Sequence, residues 1–500
     1  MNNQSNMFKT LIGGIIPLFA FILTGEVPAQ TWEEPATTGG PPDARILHTS
    51  VYNPDTNRMI IFGGSNTAQF VYVPPSIALR NDVWVLENAD GVGETPNWTQ
   101  LIPNGVSGSP SKRVWAGIVY DPTTNRLTMF GGQPALGSCY GSVNDVWVLE
   151  NADGLGGIST WTQLIPNGAP GSPGPRAGHT VIYDPSSNRM ILFGGSPPGC
   201  SATPTNDLWV LENANGLGGT PHWIQVTATG NPPGAAWHTA VYDQGNNRMI
   251  TTIHNRDSGY LDVWVLENAN GTGISNWVQI IPTGGPPTNQ QNNTAVYDPA
   301  SNRMIIFGGC CNLGPEPGFG LNDVWILENA NGLGGTPNWM QIFPVADPVT
   351  GELLLPIPRD GHTAVYNPLT NRMIVFGGRG CITGGPCTNG SIEYATFNDV
   401  WVLTEANGSI SPSDATQNLI DDVYSLGLPK GVRTSLTGPL HQATAILEDY
   451  VPLNDRAACG KLGAFINQIK AKGKGGKLGA TEADYLRQSA EDIKASLGCL

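Results

Sequence analysis

Residues 81–98 read NDVWVLENADGVGETPNW, and near copies of this phrase return five more times along the chain. Aligned on the Asp-Val-Trp core, the copies anchor at Asp82, Asp145, Asp207, Asp262, Asp323 and Asp399, 55 to 76 residues apart. A fixed internal period constrains a fold more than any local propensity, because each copy must be one supersecondary unit that buries its apolar face against the next. Each copy holds four short runs. An HTAVY-type run is centred on Val51, Val119, Val181, Val241, Val296 or Val365. An NRMIIFGG run, the NDVWVLE run and a WTQL run follow. The runs alternate apolar with polar residues or stop at glycine, as half-buried antiparallel strands do. The first two are joined by YDPxxNR, where Pro presets φ and Asn tolerates a left-handed conformation. The last two are joined through Asp-Gly or Asn-Gly, a hairpin signal. Four strands per unit and six units predict an all-β six-bladed β-propeller over residues 30–408.

The double glycines Gly63-Gly64, Gly131-Gly132, Gly194-Gly195, Gly308-Gly309 and Gly377-Gly378, the third-strand aromatic at Trp84 and the Trp98 that opens the fourth strand together resemble kelch repeats. The resemblance covers residues 31–408 and implies a kelch propeller. Repeat 4 departs from it, with Thr251-Thr252-Ile253-His254 in place of Phe-Gly-Gly, so this blade is expected to pack differently. The first strand-like run, Thr31-Trp32-Glu33, is of the fourth type, while the last repeat stops after its third run at Leu403. The N-terminal segment is therefore expected to close blade 6 and leave no edge.

The Leu86-to-Trp98 interval and its counterparts are nearly constant, at 12, 12, 12, 11 and 12 residues, which marks the NADG turns as framework. The segment after the double glycine instead runs from about ten residues to the nineteen of RGCITGGPCTNGSIEYATF. Binding residues concentrate on loops carried by rigid scaffolds, so the variable end is the candidate functional face. It holds Cys139, Cys200, Cys310, Cys311, Cys381 and Cys387. The simplest pairing is Cys139–Cys200 and Cys381–Cys387, with Cys310 and Cys311 either joined to each other or cross-linked to the blade 6 pair. Sequence does not choose among these.

Four histidines, His48, His179, His238 and His362, occupy one repeat position, which points to a shared packing role. Three residues earlier stand Arg45, Arg176 and Arg359, matched by Arg113 in repeat 2. They are expected to ring the channel mouth, either as ion pairs to neighbouring Asp or as a site for an anion or carboxylate. Blade 4 offers His254, Arg256, Asp257 and Tyr260 where the glycines were lost. This cluster reads as a candidate ligand site or as a decayed blade. The loop aromatics Phe70, Tyr72, Tyr140, Phe319, Tyr394 and Phe397 read as anchors, or as platforms for sugar rings or peptide side chains.

Lys9, the apolar run Leu11–Leu23 and the small-residue site Val27-Pro28-Ala29 make residues 1–29 a secretory signal. Export to the extracellular space, periplasm or cell envelope follows, and with it disulfide use. No second long apolar stretch predicts a membrane span. From Thr31 to Gly408 there are 14 basic residues against 29 acidic ones, which excludes the basic stripe that nucleic-acid binding needs.

After residue 408 the period shifts from 2 to 3.6. A linker over 409–417 and a small four-helix domain over 418–500 are expected, with Ser413 capping the first helix, Gly438-Pro439 kinking the second, and Cys459 near Cys499. Closing that loop would add about 4 kcal/mol in the chain-entropy account. LGLPKGVRTSL and KLGAFINQI in this region resemble the FIMAH-type module of secreted prokaryotic proteins, which implies export and an accessory role.

Kelch relatives include copper-dependent galactose-oxidase-like enzymes, but their Tyr, His and Tyr–Cys constellation has no match here. GxSxG, HExxH, a phosphate loop and DxDxDG are also missing. No catalytic residue, metal or cofactor is assigned. The sequence reads as a secreted, monomeric, non-catalytic binding or adhesion protein for an extracellular protein or glycan. The alternative is an extracellular oxidoreductase or carbohydrate-active enzyme with a pocket at the channel mouth.

Overall fold

The computed structural model describes residues 30–67, 78–135, 141–199, 202–255, 257–287, 291–310, 320–346, 351, 353–381, 394–408, 412–426, 428–447, 455–497 and 499. The expected signal segment therefore lies outside the described residues. So do Arg256, Cys139, Cys200, Cys311, Cys387, Phe70, Tyr72, Tyr140 and Phe319.

The strands form a kelch β-propeller, and a small region of four helices follows. Five sheets have four strands each, in the order first, second, third, fourth from the axis outward. The remaining sheet, built on repeat 5, has seven strands. The expectation of six equivalent four-stranded blades is thus met by five and corrected in the sixth. Its third strand, Leu321–Glu328, extends beyond its partner, and Leu321 pairs with Arg359. Arg359–Asp360 in turn pairs with Arg379–Cys381, which pairs with Tyr394–Thr396. The long insertion of repeat 6 thereby satisfies an edge that would otherwise leave backbone groups unpaired. The innermost strands of successive repeats neighbour one another in a closed ring, from Thr49–Asn53 of repeat 1 round to Thr363–Asn367 of repeat 6. Trp32–Glu33 pairs antiparallel with Val400–Leu403 and fills the outer position beside the last repeat.

The YDPxxNR turns fold as their chemistry requires. Asn57, Asn125, Asn188, Asn247, Asn302 and Asn371 all have φ near +50°. Tyr52 Oη donates to Asn57 Oδ1 at 2.9 Å, and the same bond recurs in the other five repeats. In the third-to-fourth turn the left-handed residue is the first Asn of NADG, Asn88 in repeat 1, with Glu405 in repeat 6.

This constant end also locks each repeat to its neighbour. Asn53 donates to Asp153 at 3.0 Å, and Arg58 donates to the Asp153 carbonyl at 2.9 Å. The lock returns as Asn215–Asp121, Asn270–Asp184, Asn331–Asp243, Asn407–Asp298 and Asn367–Asp90, at 2.6 to 2.8 Å. Wherever the turn supplies Asp, the strand end supplies Asn, and wherever the turn supplies Asn, the strand end supplies Asp. An Asn–Asp pair matches donor to acceptor, whereas two Asp would repel.

Aromatic packing crosses the same boundaries. Trp98 lies 4.8 Å from Phe376, Trp223 4.9 Å from Phe130 and Trp277 4.6 Å from Phe193, each on the preceding repeat. Repeat 4 has Thr252 where its counterparts have Phe, and its second and third strands run on as one eight-residue hairpin, Arg248–Asn255 with Tyr260–Glu267. This is the expected change of packing.

The helices are α1 (Pro412–Ser425), α2 (Lys430–Leu447), α3 (Asp455–Lys474) and α4 (Ala480–Ser496). Leu419, Val423, Leu436, Leu440, Leu462, Phe465, Leu486 and Ile493 share one core among them. One local expectation is corrected. The first helix starts at Pro412, a residue whose missing N–H costs nothing at a helix start, so Ser413 lies inside the helix instead of capping it. The second helix includes Gly438 and Pro439 within its range. Cys459 and Cys499 form a disulfide with Cα atoms 5.9 Å apart. Among the described residues no helix is long and apolar enough to cross a membrane.

Candidate binding site at the variable end

The four repeat arginines do not ring an open mouth. Arg45, Arg113 and Arg359 are 0 to 1% exposed and Arg176 is 4% exposed. Arg45 binds Asp82 through two parallel bonds, Nη1 to Oδ1 at 2.9 Å and Nη2 to Oδ2 at 3.0 Å. Its Nη1 also donates to the Gly63 carbonyl at 2.9 Å, and its Nε donates to the Asp43 carbonyl at 3.0 Å. Arg113 repeats this on Asp145, Arg176 on Asp207 and Arg359 on Asp399. The carboxylate is shared with the third-strand tryptophan two residues on, whose Nε1 donates to Oδ2 at 2.7 to 2.9 Å. Of the two readings the sequence left open, the ion pair to a neighbouring Asp is the one observed. The fork of each guanidinium is spent inside the fold, which explains the recurrence of Arg at this place. Burial alone would raise the Asp207 carboxyl, but the bonds and charge of Arg176 outweigh it and hold the group down at about 2.

The channel mouth is lined instead by a belt of residues at positive φ, one per repeat: Leu47, Trp115, Gly178, Trp237, Asn292 and Gly361. Their backbones are linked around the axis. Leu47 N–H donates to Gly361 O at 2.8 Å, Trp115 to Leu47, Trp237 to Gly178, Asn292 to Trp237 and Gly361 to Asn292. The repeat histidines stand beside it. His48, His238 and His362 meet the hydroxyls of Thr363, Thr180 and Thr294 on the preceding repeat at 2.8 to 3.0 Å. His179 faces Gly117, where a side chain would collide with its ring. Burial drives the ring pKa of His179, His238 and His362 down to about 3, and that of His48 well below the ordinary value, so these rings are neutral packing groups.

Repeat 4 breaks the pattern. Ala235 stands where four other repeats carry Arg and repeat 5 carries Gln290. Its backbone is held as theirs is: Ala235 N–H donates to Thr205 O at 3.0 Å, and its carbonyl accepts from Gly195 N–H at 2.7 Å. The equivalent Arg176 donates to Val143 O and accepts from Gly132 N–H. Asp262 keeps its register, with Val263 opposite Thr252 as Val83 is opposite Phe62. The missing side chain is replaced by a cavity of about 740 Å³ lined by Ala235, Trp237, His238, Asn255, Asp257 and Asp262, together with Ile253 and His254. Among the described residues, Asp262 accepts one side-chain bond, from Asn255 Nδ2 at 3.0 Å.

The sequence singled out His254, Asp257 and Tyr260. The structure brings His254 and Asp257 to the cavity and leaves Tyr260 45% exposed on the adjoining hairpin, while Arg256 is outside the described residues. Ala235, Trp237, His238 and Asp262 were missed as site residues. Their signal was in the repeat alignment, as an Ala in a column of four Arg and one Gln beside an Asp that had not changed. Cys310 and Cys381 are each disulfide-bonded. Phe397 lies under Arg359, 4.7 Å from its guanidinium, as a loop anchor. Among the described residues no group of three or more His, Cys, Asp or Glu is placed to hold a metal ion.

Comparison with known proteins matches the family described as the KLHDC2/KLHL20/DRC7 Kelch-repeats domain over residues 72–272 and 158–341, which together exceed half the chain. The chain is 28% identical over 220 residues to the human Multiple epidermal growth factor-like domains protein 8, covering 42% of this chain and 7% of that protein. It is 28% identical over 246 residues to the Rab9 effector protein with kelch motifs of Xenopus laevis, covering 46% and 56% respectively. A solved structure described as "Structure of YjhT" aligns over 73% of this chain and 95% of its own at 15% identity and a TM-score of 0.48. The chain thus spans less than two thirds of these curated relatives. Kelch propellers typically bind other proteins, and by its repeats and this match the chain belongs to the kelch-repeat family.

Proposed function

We propose that this chain is an exported, non-catalytic binding protein whose variable end takes a segment of a partner protein into the repeat 4 cavity. The observation that carries the reading is the Ala235 vacancy. Four repeats fill this place with their own arginine, whereas repeat 4 keeps the backbone and the carboxylate and leaves the space open. Its volume is in the range that binding sites use, with an aromatic wall and a few convergent polar groups. The seven-stranded sheet is read as a sixth blade enlarged by the repeat 6 insertion. Residues 1–29 are read as the export signal, and α1–α4 as an accessory module of the FIMAH type.

Selection of displayed peptides on the full chain tests the site. Recovered peptides should compete with one another and lose binding to Ala236→Trp, which places a large side chain in the cavity. Peptides that bind this variant as well as the parent, or a selection that recovers none, would refute the reading. Export predicts a mature protein in the medium that begins near Gln30, and retention of the full precursor inside the cell would count against it.

A further inference from the structure

The geometry points to a specific occupant: we propose that the repeat 4 cavity binds a guanidinium group, the side chain of an arginine on a partner segment. That side chain completes from outside the arrangement that four other repeats complete from within. This inference rests on the reading of the cavity as the binding site and adds the chemistry of the group bound.

Four internal templates show what the site accepts. In each, a guanidinium lies on the Asp carboxylate with Nη–Oδ distances of 2.7 to 3.0 Å. In each it also donates at 2.9 Å to the carbonyl of the first glycine after the second strand. Repeat 4 preserves the two ends of this arrangement, the Ala235 backbone and Asp262, and both line the cavity. A second observation is independent of the vacancy. In the other five repeats the third-strand indole N–H donates to the Asp, as Trp325 does to Asp323 at 2.7 Å. In repeat 4, among the described residues, the buried Nε1 of Trp264 has no partner, and Asp262 bonds only to Asn255. The carboxylate has therefore turned away from its framework partner. An incoming fork of donors would restore the bidentate contact the position was built around.

Charge and shape agree with this choice. Among the described lining residues, Asp262 and Asp257 are acidic and the ring of His238 is neutral, a balance that favours a cation over an anion. Arginine is favoured over lysine because a planar fork meets both carboxylate oxygens at once, whereas an ammonium is a point charge. Trp237 is among the lining residues and adds an aromatic ring to the wall, a group that attracts guanidinium.

The test uses the full chain and three blocked amino acids: N-acetyl-arginine amide and its lysine and citrulline counterparts. Citrulline keeps the shape and removes the charge. Titration followed by indole N–H resonances should show saturable binding of the arginine compound, at least tenfold weaker binding of citrulline, and weaker binding of lysine. Asp262→Asn should weaken arginine at least tenfold. Ala235→Arg should supply the group internally, abolish binding and raise Tm. Citrulline binding as tightly as arginine, Asp262→Asn keeping full affinity, or no saturable binding of the arginine compound would each overturn the proposal. Selected peptides that enter the cavity without an arginine would overturn this inference alone and leave the broader binding role standing.

Discussion

At the constant end, each of the six Asn–Asp pairs that link neighbouring repeats is closed. At the variable end, four repeats close an Arg–Asp pair, repeat 5 carries Gln290 in place of the Arg, and repeat 4 carries Ala235 with Asp262 left to Asn255. Both ends are polar networks buried in a propeller, and both rest on a carboxylate fixed at a strand terminus or turn. They differ in what a single lost partner does. A gap in the constant ring would leave a buried donor or acceptor between two repeats with nothing to replace it. A gap at the variable end opens onto solvent and becomes a cavity. Stability is thus concentrated where the copies agree, and binding capacity where the copies differ.

Acid should separate the two ends most strongly. His179, His238 and His362 have folded-state pKa values near 3, against about 6.5 unfolded. Between those values the unfolded chain binds more protons than the folded one. Stability is therefore fully present above pH 6.5 and is lost as pH falls toward 3, with a slope of up to roughly 1.4 kcal/mol per pH unit for each ring. Thermal melts across this range should show Tm falling steadily from pH 6.5. A flat profile down to pH 4 would mean the rings are not buried neutral. The constant end adds to the loss only at lower pH, since Asp184 is held below the ordinary carboxylate range. Burial alone would raise it, and the bonds from Ser187 and Asn270 more than offset that.

Removing one partner of a closed pair comes next. Arg113→Ala leaves the Asp145 carboxylate buried without its counter-charge and should cost about 3 to 5 kcal/mol. Denaturant melts would check this, and a loss below 1 kcal/mol would put the arginines back among the surface residues. At the constant end, Asp153→Asn should cost about 1 to 3 kcal/mol, because the Asn53 amide then faces another amide. The double change Asn53→Asp with Asp153→Asn recreates the Asp121–Asn215 arrangement and should recover most of the loss. A double-mutant cycle with no coupling would show that the swap between repeats carries no energetic meaning.

Much of this was open to reading before the structure. Period, turn residues and the double glycines led to the propeller, because an Asn at positive φ and a Gly against a neighbouring backbone each have one local meaning. Gly64 illustrates the second case: a Cβ there would lie 2.8 Å from the Ile46 carbonyl. The ion pairs of the arginines were one of two readings, since a column of Arg beside a column of Asp does not say which side faces water. The seven-stranded sheet was not legible, because it depends on the edge that an eight-residue third strand presents to an insertion one repeat later. The cavity depends on an absence. Ala235 is unremarkable as a residue and acquires meaning only against Arg45, Arg113, Arg176 and Arg359 in the same structural place.

The smallest expected effect is the one that tests the comparison most directly, because it applies a single substitution at two equivalent positions. Asp207→Asn removes a charge that holds Arg176, Thr205 and the Trp209 indole, and it puts an amide donor against a guanidinium. It should cost well over 1 kcal/mol, by the penalty of leaving a buried cation uncompensated. Asp262→Asn removes the same charge where Ala235 stands in place of the framework arginine and where, among the described residues, only Asn255 donates to it. Its stability change should stay within about 0.5 kcal/mol, as for a substitution that breaks no buried pair. Parallel denaturant melts of the two variants decide the matter. Equal losses would mean that Asp262 is framework like its counterparts and that the repeat 4 cavity is a packing defect, whereas the predicted difference leaves a carboxylate whose partner the fold does not supply.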